Sequence, residues 1–257
     1  MSDPSIKIVM RGDDAGSSQS ANLAILHAHE HGNLRNAGIM APCKHVDHAA
    51  EVFNTASSLC LGMHATFTSE WDTPRWGPVA DIKQVPSLVM EDGFFPPDSN
   101  YFKEQGFELE HFAIELEAQL NRLRAAGLEV AYLDEHMGFN WLEGVGELLC
   151  DFARRYNLIY RPELIERGCY LPNPTAESLD AYVAACIQSF QTLTPGTYLI
   201  LGHPVFDDPE IRQFQGQGMT GEQVALSRVH ERELFCDSRI LDHWKQQSMI
   251  ALRYDEL

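Results

Sequence analysis

The chain has 257 residues, 44% of them hydrophobic, and a formal charge of -18. That length suits one α/β barrel or two small domains, with apolar residues enough for a sizeable core. The acidic balance argues against nucleic acid and anionic membrane surfaces as partners, since both need clustered Lys and Arg, and no apolar run approaches the ~20 residues that span a bilayer.

The opening segment, MSDPSIKIVMRGDD, has neither a basic leader nor a cleavage site. No signal peptide is expected, and the cytoplasm is the default. Six cysteines are scattered without a C-x-x-C pair, a pattern of reduced, buried thiols. The first apolar run, 6–10, ends in Arg11, Gly12 and two adjacent acids, Asp13 and Asp14. A helical pattern over 19–31 follows, then a run at 37–41, a helix over 45–56 and a run at 58–63 that ends in His64. The segment at about 65–106 has little periodicity and is rich in aromatics and prolines, Trp71 and Trp76 among them. A loop this long inside a compact domain is usually functional. Its tryptophans offer a platform for a sugar ring, or else the loop packs its own aromatics against the barrel.

Beyond it come a helix over 107–126 and a run at 129–134 followed by Glu135 and His136. A helix over 142–156, a run at 157–160 followed by Arg161, and a helix over 175–191 come next. The chain ends with a run at 197–202 followed by His203 and Pro204, a helical stretch over 221–246 broken at Asp237-Ser238, and a run at 248–252. Strands and helices that alternate in this way predict an α/β fold. Seven strands in about 250 residues favour a distorted, TIM-barrel-like (β/α) barrel with about seven parallel strands. The expected organisation is one domain over 1–257, without repeats or an interdomain linker.

In parallel α/β folds chemistry collects at the carboxyl ends of strands. Here three strands end in histidine and one in a double Asp. One Asp and two His form a three-ligand metal site with a position open for water, as in catalytic zinc sites. Such a metal brings the pKa of water toward ~7. A fourth group must then take the water's proton, and a fifth protonates the leaving group. Neighbouring side chains point in different directions, so one Asp can hold the cation while the other faces the water. The remaining histidines, His27, His29, His31, His45, His48, His111, His230 and His243, read as solvated helix surface. GDDAGSS is not a phosphate loop, because it lacks G-K-[ST] and puts two acids where an anion would sit.

Several motifs in order resemble the YdjC-like carbohydrate deacetylase family, which includes chitooligosaccharide deacetylases. They are RGDDAGSSQSANLAILHAHEHG, LGMHATFT, the helix–strand segment ending in YLDEHMG, YRPE, LGHPVFDD and the C-terminal SRVHERELFCDSRILDHWKQQSMIALRYDEL. The resemblance spans nearly the whole chain. It implies a barrel-like fold and one divalent metal ion, zinc or magnesium first, with manganese or cobalt as options. It implies that Asp14, His64 and His136 bind the metal, that Asp13 is the general base, that His203 is the acid, and that Arg161 lies at the rim orienting Asp13 or the substrate. Two positions depart from the family: Gly138 stands where many relatives carry a second histidine of D-x-H-x-H, and Ala65 where a bulkier residue is common.

The expected activity is removal of an N-acetyl group from an acetylated sugar or oligosaccharide, with a small carbohydrate as partner and a homodimer as an option. A metal-dependent hydrolase of a phosphoester or cyclic amide is the second reading. A non-catalytic sugar- or cation-binding domain is the third.

Overall fold

The computed structural model describes residues 5–169, 171–173 and 178–257. Its sheet is organised around one long strand, β1 (Ile6–Ala15). Ile8 and Met10 pack in the main core with the helices, while Val9 joins a second apolar cluster with Tyr132, Leu199 and Tyr254. Because strand side chains alternate, Arg11 and Asp13 fall on the same inner face as Val9.

All seven strands pair in parallel, in the order β5-β4-β3-β2-β1-β6 with β7 also on β1. They are β2 (Asn36–Ile39), β3 (Cys60–Ala65), β4 (Tyr132–Glu135), β5 (Ile159–Tyr160), β6 (Gly196–Gly202) and β7 (Ile250–Leu252). β6 runs along one edge of β1. On the other edge β7 pairs with Lys7–Val9 and β2 with the half from Arg11 onward. The sheet curls without a continuous closing ladder: beyond β5, Gly168 makes an isolated parallel bridge to Leu199 of β6. The architecture is thus the expected distorted (β/α) barrel. Parallel strands put every carboxyl end on one rim.

The helices are α1 (Gln19–His31), α2 (Val46–Phe53), α3 (Asn100–Gln105), α4 (Leu109–Ala125), α5 (Val145–Tyr156), α6 (Glu163–Glu166), α7 (Leu179–Phe190), α8 (Gly221–Cys236) and α9 (Ser238–Gln246). The break expected at Asp237-Ser238 is real, and the Asp237 carboxylate caps α9 by accepting from the Arg239 N–H. The helix expected from 175 begins at Leu179, and 175–177 lie outside the described residues. Neither α3 nor α6 was legible as a helix, both being under two turns long. Two histidines depart from the solvated-surface reading. His230 and His243 are 4% and 8% exposed and stack on Tyr182 and Phe190. Among the described residues no helix is long and apolar enough to cross a membrane.

The segment between β3 and α3 is held down by α4. Gln119 exchanges hydrogen bonds with the Thr66 backbone, and the buried Glu115 carboxylate accepts the N–H groups of Val79 and Ala80. Buried backbone donors without a ladder partner find side-chain acceptors here.

Candidate active site

β1 does not end at Met10, as the apolar run suggested. It continues through both acids, with a register irregularity between Gly12 and Ala15. Asp14 sits at the irregularity in the left-handed region, φ 62°. Asp is one of the few residues that tolerates this conformation, and the local twist turns its side chain away from that of Asp13. The two neighbouring carboxylates therefore meet different partners.

Asp13 is gripped by Arg11, two residues earlier on the same face. Nε donates to Oδ1 at 2.6 Å and one terminal nitrogen to Oδ2 at 2.8 Å. The other terminal nitrogen lies 2.7 Å from Asp134 Oδ2 and donates to the Tyr254 hydroxyl at 3.0 Å. All three charged residues are buried. Burial disfavours the Arg11 charge, but Asp13 and Asp134 outweigh it and hold its pKa well above the usual value. Gly38 of β2 makes room here, since a Cβ at that position would lie 3.2–3.3 Å from Asp13 and His64.

Asp14 meets the two histidines instead. Its Oδ1 is 3.2 Å from His136 Nδ1 and 3.6 Å from His64 Nε2, yet it is buried and makes no hydrogen bond. The far nitrogen of each imidazole is already committed. His64 Nδ1 donates to Asp134 at 3.0 Å, and His136 Nε2 donates to Glu70 at 2.9 Å. These carboxylates leave His64 Nε2 and His136 Nδ1 aimed at Asp14, which is the outer-sphere arrangement of metal-binding histidines. Asp14, His64 and His136 offer three ligand atoms within 4.8 Å of one another.

Electrostatics point the same way. Asp13, Asp14, Glu70, Glu135 and Glu231 are five carboxylates around a space with two guanidinium groups, Arg11 and Arg228, and Asp134 stands behind Arg11 as a sixth. Burial lowers the affinity of His64 and His136 for protons. Asp134 and Asp13 outweigh it for the first, and Glu70 and Asp14 for the second, raising them to about 10 and about 9. Burial pushes Asp14 up, but His203 and the two imidazoles hold it well below the usual carboxylate range. Protons on the imidazoles thus stand in for positive charge that the carboxylates demand. The orphaned Asp14 oxygen, the committed far nitrogens and the excess of carboxylates together fit a divalent cation.

His203 stands across the cavity at the end of β6. Its Nδ1 and its backbone N–H both donate to Glu231 Oε2, at 2.9 and 2.6 Å, leaving Nε2 free for the cavity. Arg228, on the same face of α8, donates to that oxygen at 3.2 Å and stands 3.8 Å from Asp14 Oδ2. Burial pushes Glu231 up, but His203 and Arg228 outweigh it and bring its pKa down to about 2. The cavity these groups share has a volume of about 540 Å³, with Trp71, Met137 and Ile165 among its apolar walls.

Asp13, Asp14, His64, His136, His203 and Trp71 are therefore brought together. Arg161 and Trp76 are not. Arg161 follows the short edge strand β5, is half exposed and, among the described residues, pairs with Glu163, at 3.4 Å. Arg11 contacts Asp13 in its place. Trp76 is 6% exposed and donates its indole N–H to Thr68 O, so it packs edge-on behind His136 rather than lining the cavity. Glu70, Arg228 and Glu231 carry no strand-end mark in the sequence. Arg11 did carry a signal: in R-x-D on a strand both side chains share a face.

The sequence model of the YdjC-like proteins matches residues 7–246. This chain belongs to the YdjC-like family. Among its relatives, the carbohydrate deacetylase of Geobacillus stearothermophilus is 26% identical over 254 residues, covering 96% of each chain. That of Halalkalibacterium halodurans is 24% identical over 242 residues, 87% of this chain and 96% of the relative. A crystal structure from Enterococcus faecalis, of a protein named for cellobiose-phosphate cleavage, superposes with a TM-score of 0.80 at 20% identity. It covers 98% of both chains and shares the fold.

Proposed function

We propose that this protein is a metal-dependent hydrolase that removes the N-acetyl group from an acetylated sugar. One observation carries the reading: the buried, unbonded Asp14 Oδ1 faces two imidazoles already braced by carboxylates, with a separate buried acid and a separate braced histidine on either side. The names of the relatives, carbohydrate deacetylases, supply the substrate class.

Asp14, His64 and His136 hold the cation. A His₂Asp set suits zinc, with magnesium next. When bound, the ion supplies Lewis acidity, making water nucleophilic near neutral pH and stabilising charge on the amide oxygen. Asp13 takes the proton from the attacking water. Arg11 fixes both its oxygens, and each keeps a lone pair for the incoming proton. As the amide C–N bond breaks, His203 Nε2 gives a proton to the departing amine, with Glu231 holding the ring in place through Nδ1. The products are acetate and the free amino sugar. Trp71 forms one apolar wall of the cavity.

Arg11 also argues against a two-metal phosphoester hydrolase. Asp13, His64 and Asp134 form a second cluster of ligand type, but the guanidinium lies 2.6 and 2.7 Å from its two carboxylates and supplies the positive charge there. Six free cysteines suit a reducing compartment, which supports the cytoplasm.

The test is acetate release from a panel of N-acetylated mono- and oligosaccharides by the metal-loaded protein. Release is expected from the parent. Asp13→Asn should keep its metal and lose about 10²–10⁴-fold in turnover, and His136→Ala should lose the metal by elemental analysis. No acetate from any sugar, or full activity in Asp13→Asn, would sink the assignment.

A further inference from the structure

We propose that Gln217 is a specificity-determining residue, whose carboxamide reads a pair of neighbouring hydroxyls on the ring of the acetylated sugar. The proposal rests on the deacetylase reading and deepens it, by naming what selects the sugar rather than what cleaves the amide. The other carboxylates, amides and hydroxyls around the metal cavity are committed to the protein or to the reaction. Glu135 accepts the N–H groups of Phe139 and Asn140 and the Tyr160 hydroxyl, and Ser227 donates to Val224 O. Asn173 is engaged as well. Gln217 lines the same cavity, yet among the described residues its side chain makes no hydrogen bond or ion pair.

Its backbone carries a second observation. Gly216 and Met219 exchange both backbone hydrogen bonds, at 3.2 and 2.9 Å. Between them Gln217 and Gly218 make a two-residue turn with φ 54° and 78°. A hairpin turn with both central residues left-handed is of type I′, which favours Asn, Asp and Gly. Glutamine bears the Cβ penalty of that region without the short side chain that offsets it. Strain retained at a cavity wall points to function. The hairpin is also fixed in place. The Gln215 N–H donates to Thr73 O, and Gln215 O accepts the Asp72 N–H, each at 2.9 Å. Gly216 packs so closely there that a Cβ would lie 2.8 Å from Asp72 N and 3.2 Å from Trp71 Cα. On its other side Thr220 caps α8, the helix of Arg228 and Glu231. Trp71, Met219 and Gln217 are thus one wall of the cavity. It offers apolar surface to the C–H face of a sugar ring and a carboxamide to its hydroxyl edge. A carboxamide both donates and accepts, as two adjacent hydroxyls do, so inverting either hydroxyl breaks half of the match.

The experiment titrates metal-loaded Asp13→Asn protein, which cannot turn over, with N-acetylglucosamine, its C3 and C4 epimers and its 6-deoxy form. Calorimetry reads affinity. The four sugars should span about tenfold, the scale of one neutral hydrogen bond. Adding Gln217→Gly, which suits the backbone and removes the carboxamide, should bring all four within about twofold, with Tm not lowered. Gln217→Asn tolerates the left-handed region and keeps a shorter carboxamide, so it should retain the ranking in weaker form. In the Asp13 protein, Gln217→Gly should raise KM about tenfold and leave kcat within about twofold, because the contact is made to substrate and transition state alike. Four equal affinities in the Asp13→Asn protein, or a ranking that survives Gln217→Gly, overturns the assignment. Acetate release by the Asp13 protein is measured in parallel. No acetate beside a ranking that depends on Gln217 counts against the deacetylase reading alone, and acetate with an unchanged ranking counts against Gln217 alone.

Discussion

A guanidinium with Asp13, Asp134 and Tyr254 around it, as Arg11 has, orients two carboxylates at once. Lysine cannot reproduce that planar fork. Arg11→Lys should therefore leave Asp13 beside a cation but free it to rotate. We expect turnover to fall about a hundredfold with metal content unchanged, read by acetate release beside elemental analysis; equal loss of metal would show that Arg11 serves the ligands instead. Glu231 makes a pH-dependent claim. Its folded pKa, about 2, lies below the ordinary value of 4.5. A depressed carboxylate stabilises the fold above the unfolded pKa and loses that contribution as pH falls through the folded one. Glu231→Gln should be less stable than the parent by about 3 kcal/mol at pH 7. The gap should narrow between about pH 4.5 and 2 in urea melts, and a gap independent of pH would refute it.

At the scale of elements, β1 shows what the sequence could and could not convey. Apolar runs located all seven strands, because strands covered on both faces are apolar on both. The same criterion stopped β1 at Met10, since Arg11, Asp13 and Asp14 are polar. They are buried nonetheless, because each is paired or faces the proposed cation site. Charge burial that depends on partners across the sheet leaves no local trace, which is why Glu70 and Glu231 went unread. Arg161 shows the converse: its position after a strand was correct, but β5 is a two-residue edge strand and the side chain turns to Glu163. Beneath the site, Gly62 of β3 lies under the Tyr132 ring, where a Cβ would come within 2.2 Å of ring carbons. That ring cannot retreat, being stacked on Tyr254 at 4.0 Å. Gly62→Ala should cost about 1–3 kcal/mol in denaturant unfolding. A neutral result would mean the stack is loose.

Taken as a whole, the chain closes on its own beginning. β7 returns to share an edge of β1 with β2. Asn36, fully buried, ties the junction: its amide donates to Met10 O and Leu252 O, and its carbonyl accepts the Tyr254 N–H. The last turn thereby delivers the Tyr254 hydroxyl to Arg11, and through Arg11 to Asp13. None of this was visible as a motif, since residues 11, 36 and 254 meet only when the barrel curls. It makes the two functions of Tyr254 separable. Tyr254→Phe keeps the ring stacked on Tyr132 and removes one hydrogen bond to a charged group, worth about 1.5–3 kcal/mol. Tyr254→Ala also removes a buried ring, at about 3–5 kcal/mol. If the hydroxyl orients Arg11, Tyr254→Phe should lower kcat with KM and metal content held, although it is the milder change in stability. If the residue only fills space, kcat should follow stability, and Tyr254→Phe should turn over like the parent.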